Sequence, residues 1–168
     1  MRNYSKYNWK IGVIMKIEDK IIEEEKLAII NYKGPVEYME ILISKLTTWV
    51  EINEVETTGP PFAIYYTTPG SVDEDKMIYD MGIPIANDSK IEGNDEINIV
   101  ELLEHRVLAI VHKGSYSTLS RSYKEMVDYS IENNYDIIGS PKEIYFNNPH
   151  EVPEEELLTE IQFPVIKM

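Results

Sequence analysis

The chain has 168 residues, no cysteine and a formal net charge of −14, from 16 Lys and Arg against 30 Asp and Glu. The lack of cysteine excludes disulfides, thiol catalysis and cysteine-ligated metal centres, and the negative charge disfavours direct contact with nucleic acid or anionic lipid because like charges repel. No apolar run reaches the roughly 18 residues of a membrane span and the start lacks a signal peptide's apolar segment, so we expect a cytoplasmic protein with no membrane partner.

An internal repeat organises the sequence. A constant offset of 80 residues relates Lys33-Gly34 to Lys113-Gly114, Gly59 to Gly139, Ile64-Tyr65 to Ile144-Tyr145, and Pro84 to Pro164. A fixed register across loops and strands indicates a duplicated unit, and such units usually pack about a pseudo-two-fold axis. We expect one domain over residues 1–168, with repeats at about 10–87 and 96–168, a ligand cleft at their seam and a flexible segment at 1–6.

Each repeat is predicted to contain the same elements in the same order. The first has strands at about Ile11–Ile17 and Leu27–Tyr32, a helix through Met39–Val50, and strands at Phe62–Thr67 and Lys76–Ile85. The second has strands at about Ile97–Leu102 and Val107–His112, a helix through Leu119–Ser130, and strands at Lys142–Asn147 and Leu157–Ile166. Helical apolar spacing, alternation in the strands, and Gly and Pro at the breaks support these assignments.

The resulting fold class is α+β. Tandem strand-helix-strand-strand units should form a pseudo-two-fold antiparallel sheet with both helices on one face. Alternation along the last strand of each repeat assigns Met81, Ile83, Ile161 and Phe163 to the helix-covered face, and the same parity assigns Ile64, Ile144 and Phe146 to it.

The opposite, uncovered face is then expected to carry Asp80, Glu160, Tyr65, Tyr145 and Asn147. Both repeats keep an acid and a tyrosine at equivalent positions, which favours a site for an organic cation, since aromatic faces and carboxylates both attract one. The alternative is that these residues are the solvated side of an ordinary antiparallel sheet.

The chain has 12 tyrosines, whose apolar faces and polar rims suit a pocket for flat ligands. Tyr32 and Tyr116, near the strand-helix junctions, are further candidates. Strand propensity and compositional bias are the alternative explanation. The three histidines are too dispersed for a metal motif, no nucleophile elbow surrounds a serine, and no glycine pattern fits a phosphate, so we predict no metal and no cofactor.

Several of these segments together resemble the GyrI-like small-molecule-binding domain, from about residue 10 to the C-terminus. They are Lys33-Gly34-Pro35, Gly59-Pro60-Pro61 with Ala63-Ile64-Tyr65-Tyr66, Tyr79-Asp80-Met81-Gly82-Ile83-Pro84-Ile85, His112-Lys113-Gly114-Ser115-Tyr116, and Leu158-Thr159-Glu160-Ile161-Gln162-Phe163-Pro164-Val165. The resemblance implies drug-like ligands in a cleft between the halves, and an acid among aromatics that takes up lipophilic cations. Glu160 matches the family's acid on the final strand, and Asp80 is its first-half counterpart. Some members carry a further acid on the penultimate strand, where the matching stretch here is Tyr145-Phe146-Asn147, without a carboxylate.

These observations favour a stand-alone binding protein over an enzyme, one that holds an amphipathic, cationic or polarised aromatic molecule between Tyr65, Tyr145, Asp80 and Glu160. Two alternatives stay open. The first is a hydrolase of strained electrophiles such as cyclopropanoids, in which Glu160 activates water and Tyr145 assists, as the resemblance also implies. The second is an acidic regulator that contacts a protein partner, such as a modulator of DNA gyrase. The sequence leaves the ligand and the oligomeric state open.

Overall fold

The computed structural model describes residues 16–68 and 71–168. Its strands and helices, in chain order, are β1 Glu18–Ile22, β2 Glu25–Lys33, α1 Met39–Ile52, β3 Phe62–Tyr65, β4 Ile78–Ile85, β5 Asn98–Leu102, β6 His105–Lys113, α2 Leu119–Glu132, β7 Tyr135–Ile137, β8 Lys142–Tyr145 and β9 Leu158–Lys167. The predicted α+β class is confirmed. Of the strand predicted at 11–17, residues 11–15 lie outside the described part, and β1 begins just after it. Within the described ranges neither helix is long and apolar enough to cross a membrane.

Eight strands form one curled antiparallel sheet in the order β1-β6-β9-β8-β3-β4-β2-β5, and β7 pairs with β9. The order reads the same from both ends when each strand is exchanged for its equivalent 80 residues away. Ala63 pairs with Glu143 at the middle of the β3–β8 ladder, so the pseudo-two-fold axis passes between these two residues. The topology is consistent with the predicted duplication.

The first strand of each half pairs with the other half. β1 precedes β2 in the chain but pairs with β6, and β5 pairs with β2. Each half therefore supplies an edge strand that completes the sheet of its counterpart. The equivalent turns after β2 and β6 are made by Gly34 and Gly114, whose φ angles of 153° and 130° favour a residue without a side chain.

Both helices lie on the same face of the sheet. Leu42, Leu46 and Trp49 of α1 pack on the first half, where the buried residues include Ala28, Ile30, Tyr79 and Met81. Leu119 and Met126 of α2 pack on the second half, over Leu108, Ile110, Ile161 and Phe163. Met81, Ile83, Ile161 and Phe163 thus face the helices, as predicted from their alternation.

The opposite face carries its own apolar cluster, which no helix covers. Its buried members are Leu27, Phe62, Val111, Ile144 and Phe146, with Ile64 packed against them. The prediction that Ile64, Ile144 and Phe146 face the helices is therefore wrong. In β3 both sides are apolar, and in β8 each side carries one charged residue and one large apolar or aromatic residue, so alternation could not decide which side meets the helices.

Candidate functional site

Two tyrosines from the two halves meet at the pseudo-two-fold axis. Tyr65 ends β3 and Tyr145 ends β8, and their hydroxyl oxygens are 2.9 Å apart. Pairing of Tyr65 with Tyr79 places its side chain on the helix-covered face, since directly opposed residues of an antiparallel pair share a face. Tyr145 packs against the same cluster of buried residues. The small side chain of Ala63 at the axis leaves room for the two rings to converge.

A buried carboxylate lies beside these hydroxyls. Glu143 is only 6% exposed, and the hydroxyl of Tyr145 donates a hydrogen bond to its Oε1 at 3.0 Å. The hydroxyl of Tyr123, on α2, donates a short hydrogen bond to Oε2. Because the proton of Tyr145 is directed to Glu143, Tyr65 must be the donor in the contact between the two tyrosines. The result is a directed chain of hydroxyls that ends on one carboxylate.

Burial decides the protonation of this group of residues. It raises the pKa of Glu143, while the hydrogen bonds from Tyr123 and Tyr145 oppose that rise. Burial also raises the pKa of each of the tyrosines Tyr65, Tyr123 and Tyr145, and the charge of Glu143 adds to the rise. The tyrosines consequently remain neutral hydrogen-bond donors near neutral pH.

Six tyrosines lie in sequence across the axis, and we call them the tyrosine row: Tyr38, Tyr32, Tyr79, Tyr65, Tyr145 and Tyr116. Ring contacts link them within each half, and the hydroxyl contact between Tyr65 and Tyr145 joins the two halves. Successive ring centroids are 4.9, 5.6 and 5.8 Å apart from Tyr38 to Tyr65, and Tyr116 meets Tyr145 edge-on at 5.9 Å. The two ends of the row are exposed, Tyr116 by 38%. The row combines apolar faces with a buried acid, which is a combination that suits flat or cationic organic molecules.

The structure brings the predicted tyrosines together and separates them from the predicted acids. Tyr32, Tyr65, Tyr116 and Tyr145 all belong to the tyrosine row. The prediction that Tyr65 and Tyr145 share a face with Asp80 and Glu160 is wrong, because β3 and β8 sit in the sheet with the opposite parity to the one expected.

Both predicted acids have partners on the other face. Glu160 is 2% exposed, lies 3.1 Å from the Lys20 amine of β1, and accepts a hydrogen bond from the Gln162 amide at 2.6 Å. Asp80 accepts hydrogen bonds from the Asn31 amide at 2.8 Å and the Tyr66 hydroxyl at 2.5 Å.

Asn147 fastens the end of β8 to the start of β9. Its amide donates to the Glu156 carbonyl, and its side-chain oxygen accepts from the backbone of Leu158. Thr67 makes the equivalent contact with Ile78 in the first half, so this contact repeats with the fold.

Glu143 is the functional candidate that sequence reasoning missed. It lies on the penultimate strand, two residues before the stretch that was matched to the family's further acid. The signal was available: an acid stands in the middle of a strand whose first-half counterpart is Ala63, and carboxylates are rarely buried without a reason.

Two surface depressions lie elsewhere. One, of about 660 Å³, is lined by residues including His105, Arg106 and Val165, and another, of about 500 Å³, lies beside Trp49 and Ile97. Neither contains Glu143 or a member of the tyrosine row. The buried acid and the chemistry around it, rather than depth of a groove, therefore identify the candidate site.

The structure is thus an antiparallel sheet with one helix per half, and it places a buried acid among tyrosines where the halves meet. The sequence model of the GyrI-like small molecule binding domain matches residues 15–166, and the chain belongs to this family.

Solved structures share the fold. The C-terminal domain of EcmrR superposes with a TM-score of 0.80 at 22% identity, covering 93% of this chain and 100% of that domain. A hydrolase encoded by lin2189 from Listeria innocua superposes with a TM-score of 0.71 at 14% identity, over 90% of this chain and 92% of that one. The structure of SAV2435 bound to tetraphenylphosphonium superposes with a TM-score of 0.57 at 12% identity, over 90% of this chain and 94% of that one. No curated protein matches the sequence.

Proposed function

We propose that this protein binds an amphipathic aromatic cation at the tyrosine row, with Glu143 as the counter-ion. The observation that carries the proposal is the buried carboxylate of Glu143 at the axis between the two halves, where it accepts hydrogen bonds from Tyr123 and Tyr145. Tyrosine faces would supply contact area and cation–π attraction, and the carboxylate would select for positive charge. The SAV2435 structure, which holds a lipophilic cation on a similar fold, agrees with this proposal.

The electrostatics of the site favour a cation over a neutral ligand. An ionised carboxylate in a buried position is costly, and two hydroxyl donors compensate for only part of its lost hydration. A cation placed beside Glu143 would stabilise the ionised form and lower its raised pKa. Binding should therefore release protons at pH values where the free site is partly protonated, and affinity should increase as the pH rises.

Glu143 takes the place of Asp80 and Glu160 in this proposal. The negative charge of Glu160 is already balanced by Lys20, and Asp80 already accepts two side-chain hydrogen bonds. A ligand-binding role for these two acids stays a prediction, which Glu160→Gln and Asp80→Asn variants test. We also propose a cytoplasmic location and no direct contact with nucleic acid, and the net charge of −14 supports the second of these.

The test uses two probes of nearly the same shape and opposite charge, tetraphenylphosphonium and tetraphenylborate, titrated by calorimetry. We expect saturable binding of the cation and no binding of the anion. Glu143→Gln should weaken the cation by about 10- to 100-fold, the scale of a lost charged partner. Glu132→Gln, at an exposed position near the end of α2, is the matched control. Equal binding of both ions, or an unchanged affinity in Glu143→Gln, would refute the role of Glu143.

A hydrolase is the second candidate, since the pKa of Glu143 is raised and two hydroxyls contact it. In a strained three-membered ring, water would attack one ring carbon and lose a proton to Glu143 while a ring bond breaks. The departing ring atom would take a proton from Tyr145, and the proton on Glu143 would return to that phenolate along the existing hydrogen bond. A neighbour named as a hydrolase shares the fold.

The hydrolase proposal requires that a reaction product is detected, because ligand binding alone does not distinguish it from a binding protein. Wild-type protein incubated with an aryl-substituted epoxide or activated cyclopropane should give the ring-opened hydrate. Mass spectrometry detects this product. Turnover should disappear in both Glu143→Gln and Tyr145→Phe and survive in Glu132→Gln. Saturable binding without hydrate would count against this candidate and leave the binding protein.

A further inference from the structure

The two halves of the site are not alike, although the sheet around them is symmetric. At the offset of 80 residues, Tyr32 corresponds to His112 and Tyr79 corresponds to Thr159. The first half therefore places two large rings beside the axis where the second half places smaller polar side chains. Any ligand that approaches Glu143 meets two different walls.

The first-half wall is closed by its own aromatic packing. Tyr32 stacks on Tyr38 at 4.9 Å and meets Tyr79 edge-on at 5.6 Å. The hydroxyl of Tyr79 donates to the Pro35 carbonyl at 3.0 Å, which fixes that ring in place. Tyr79 is fully buried. The buried hydroxyl of this wall, that of Tyr79, therefore already has a partner.

The second-half wall is held by a histidine. The Nδ1 of His112 is 2.8 Å from the Ser122 hydroxyl, and its Nε2 is 3.0 Å from the Thr118 hydroxyl, so the imidazole fastens β6 to the start of α2. Thr159 pairs with both His112 and Tyr145 in the sheet ladders. Its side chain therefore lies between theirs, on the helix-covered face beside the site.

The hydroxyl of Thr159 has no hydrogen-bond partner, and the residue is 0% exposed. Among the side chains that the structure describes, one other buried polar atom also lacks a hydrogen bond: Oε2 of Glu25, which lies 3.6 Å from the Lys142 amine. A buried hydroxyl without water or a partner is destabilising. The group beside Tyr145 is thus a polar atom for which the protein itself supplies no partner.

The hydroxyl protons around Glu143 are already committed. Tyr65 donates to Tyr145, and both Tyr145 and Tyr123 donate to the carboxylate. Thr159 is therefore, in the described part of the chain, a fully buried O–H donor next to the site that makes no hydrogen bond, whereas the free hydroxyls of Tyr32 and Tyr116 belong to side chains that solvent reaches. Its complement is an oxygen or nitrogen acceptor on a ligand.

We propose that the ligand occupies the second-half side of the site, entering past the exposed ring of Tyr116, and that the Thr159 hydroxyl donates a hydrogen bond to an acceptor on it. Thr159 is then a specificity-determining residue, and the ligand class is a flat aromatic cation that also carries an ether or carbonyl oxygen. This inference rests on the proposed cation binding at Glu143. Tyr116 contacts Tyr145 only by an edge, so its ring can turn outward without losing a stacked neighbour.

The experiment compares two fluorescent cations that differ in one atom group, 6-methoxy-N-ethylquinolinium and 6-ethyl-N-ethylquinolinium, in which a methylene replaces the ether oxygen. Wild-type protein should bind the methoxy compound about three- to tenfold more tightly, the scale of one neutral hydrogen bond. Thr159→Val has the same shape without the hydroxyl and should bring this ratio close to one. Thr159→Ser should keep the ratio.

Two controls separate the outcomes. Glu143→Gln should weaken both cations and leave their ratio unchanged, and Thr48→Val, on the exposed side of α1, should change neither. A ratio near one in the wild type, or a ratio that persists in Thr159→Val, overturns the inference while cation binding stands. Failure of both cations to bind the wild type overturns the proposed function itself. A wild-type ratio near one overturns the inference even if a variant fails to fold.

Discussion

The Tyr123→Phe variant isolates one hydrogen bond to the buried acid. It removes the hydroxyl that donates to Oε2 of Glu143 and keeps the ring, including its edge contact with Phe163 at 5.7 Å. Because Glu143 is 6% exposed, water cannot readily replace the lost donor. A hydrogen bond to a charged group contributes about 1.5–3 kcal/mol, so we expect the free energy of unfolding to fall by about 2 kcal/mol above neutral pH.

Urea unfolding followed by circular dichroism measures this effect. With an m value of about 2 kcal/mol/M, the midpoint should shift by about 1 M while the m value stays constant. The matched control is Tyr129→Phe on the same helix, whose ring stacks on Tyr135 at 6.2 Å. Its midpoint should move by less than about a quarter of that amount, since surface changes away from such contacts usually stay within about 0.5 kcal/mol.

The same variant makes an opposite prediction for ligand binding. Without the Tyr123 hydroxyl, Oε2 of Glu143 is free to meet a bound cation, so affinity for tetraphenylphosphonium should stay the same or increase while stability falls. If Tyr123→Phe and its control Tyr129→Phe unfolded at the same urea concentration, the Tyr123 hydroxyl would not be a hydrogen-bond partner of Glu143. A loss of both stability and cation affinity would instead assign Tyr123 to the ligand contacts.

Three further predictions follow from the charged groups. Lys20→Met leaves the buried Glu160 with one neutral partner, so the free energy of unfolding should fall by about 1–3 kcal/mol without a change in cation affinity. Lys90→Met, at an exposed position in a loop, should change neither the stability nor the affinity. The pKa of Glu143 is raised by burial, so the folded state holds its proton more tightly than the unfolded state. Stability should fall as pH rises from 4.5 through the folded-state pKa, and urea midpoints of Glu143→Gln should lack this fall. Burial lowers the pKa of His112, so the unfolded state takes up its proton first. Stability should be lost as the pH falls below 6.5, and His112→Gln should reduce that loss in thermal unfolding at pH 5 and 7.

The parity error in the central strands shows where sequence patterns stop being informative. In β4 and β9 one side of each strand is apolar and the other carries Asp80 or Glu160, so alternation assigned their faces correctly. In β3 both sides are apolar, and in β8 each side has one charged residue, Lys142 beside Ile144 and Glu143 beside Tyr145. Ile64 and Ile144 pack into a separate cluster on the face without helices. A shift of one residue in the register of such a strand would move every side chain to the other face.

The pairing of β1 and β5 with strands of the opposite half could not be predicted from the sequence either. Neighbouring strands in a chain usually pair, yet β1 pairs with β6, far along the chain. That pairing brings Lys20 to Glu160 and gives this acid a structural partner. The sequence showed an acid at an equivalent position in each repeat, but the amine that neutralises one of them comes from the opposite half.

By itself, the sequence determined the α+β class and the gathering of tyrosines such as Tyr65 and Tyr145, and it indicated a duplicated unit with which the topology is consistent, because local periodicity and a constant offset are properties of the chain alone. Only the tertiary structure decided that Glu143, rather than Asp80 or Glu160, lies among those tyrosines, and that Thr159 stands beside them with an unpaired hydroxyl. The physical reason is that the strand register and the curl of the sheet are set by contacts between residues distant in sequence, and these contacts choose which face each side chain occupies.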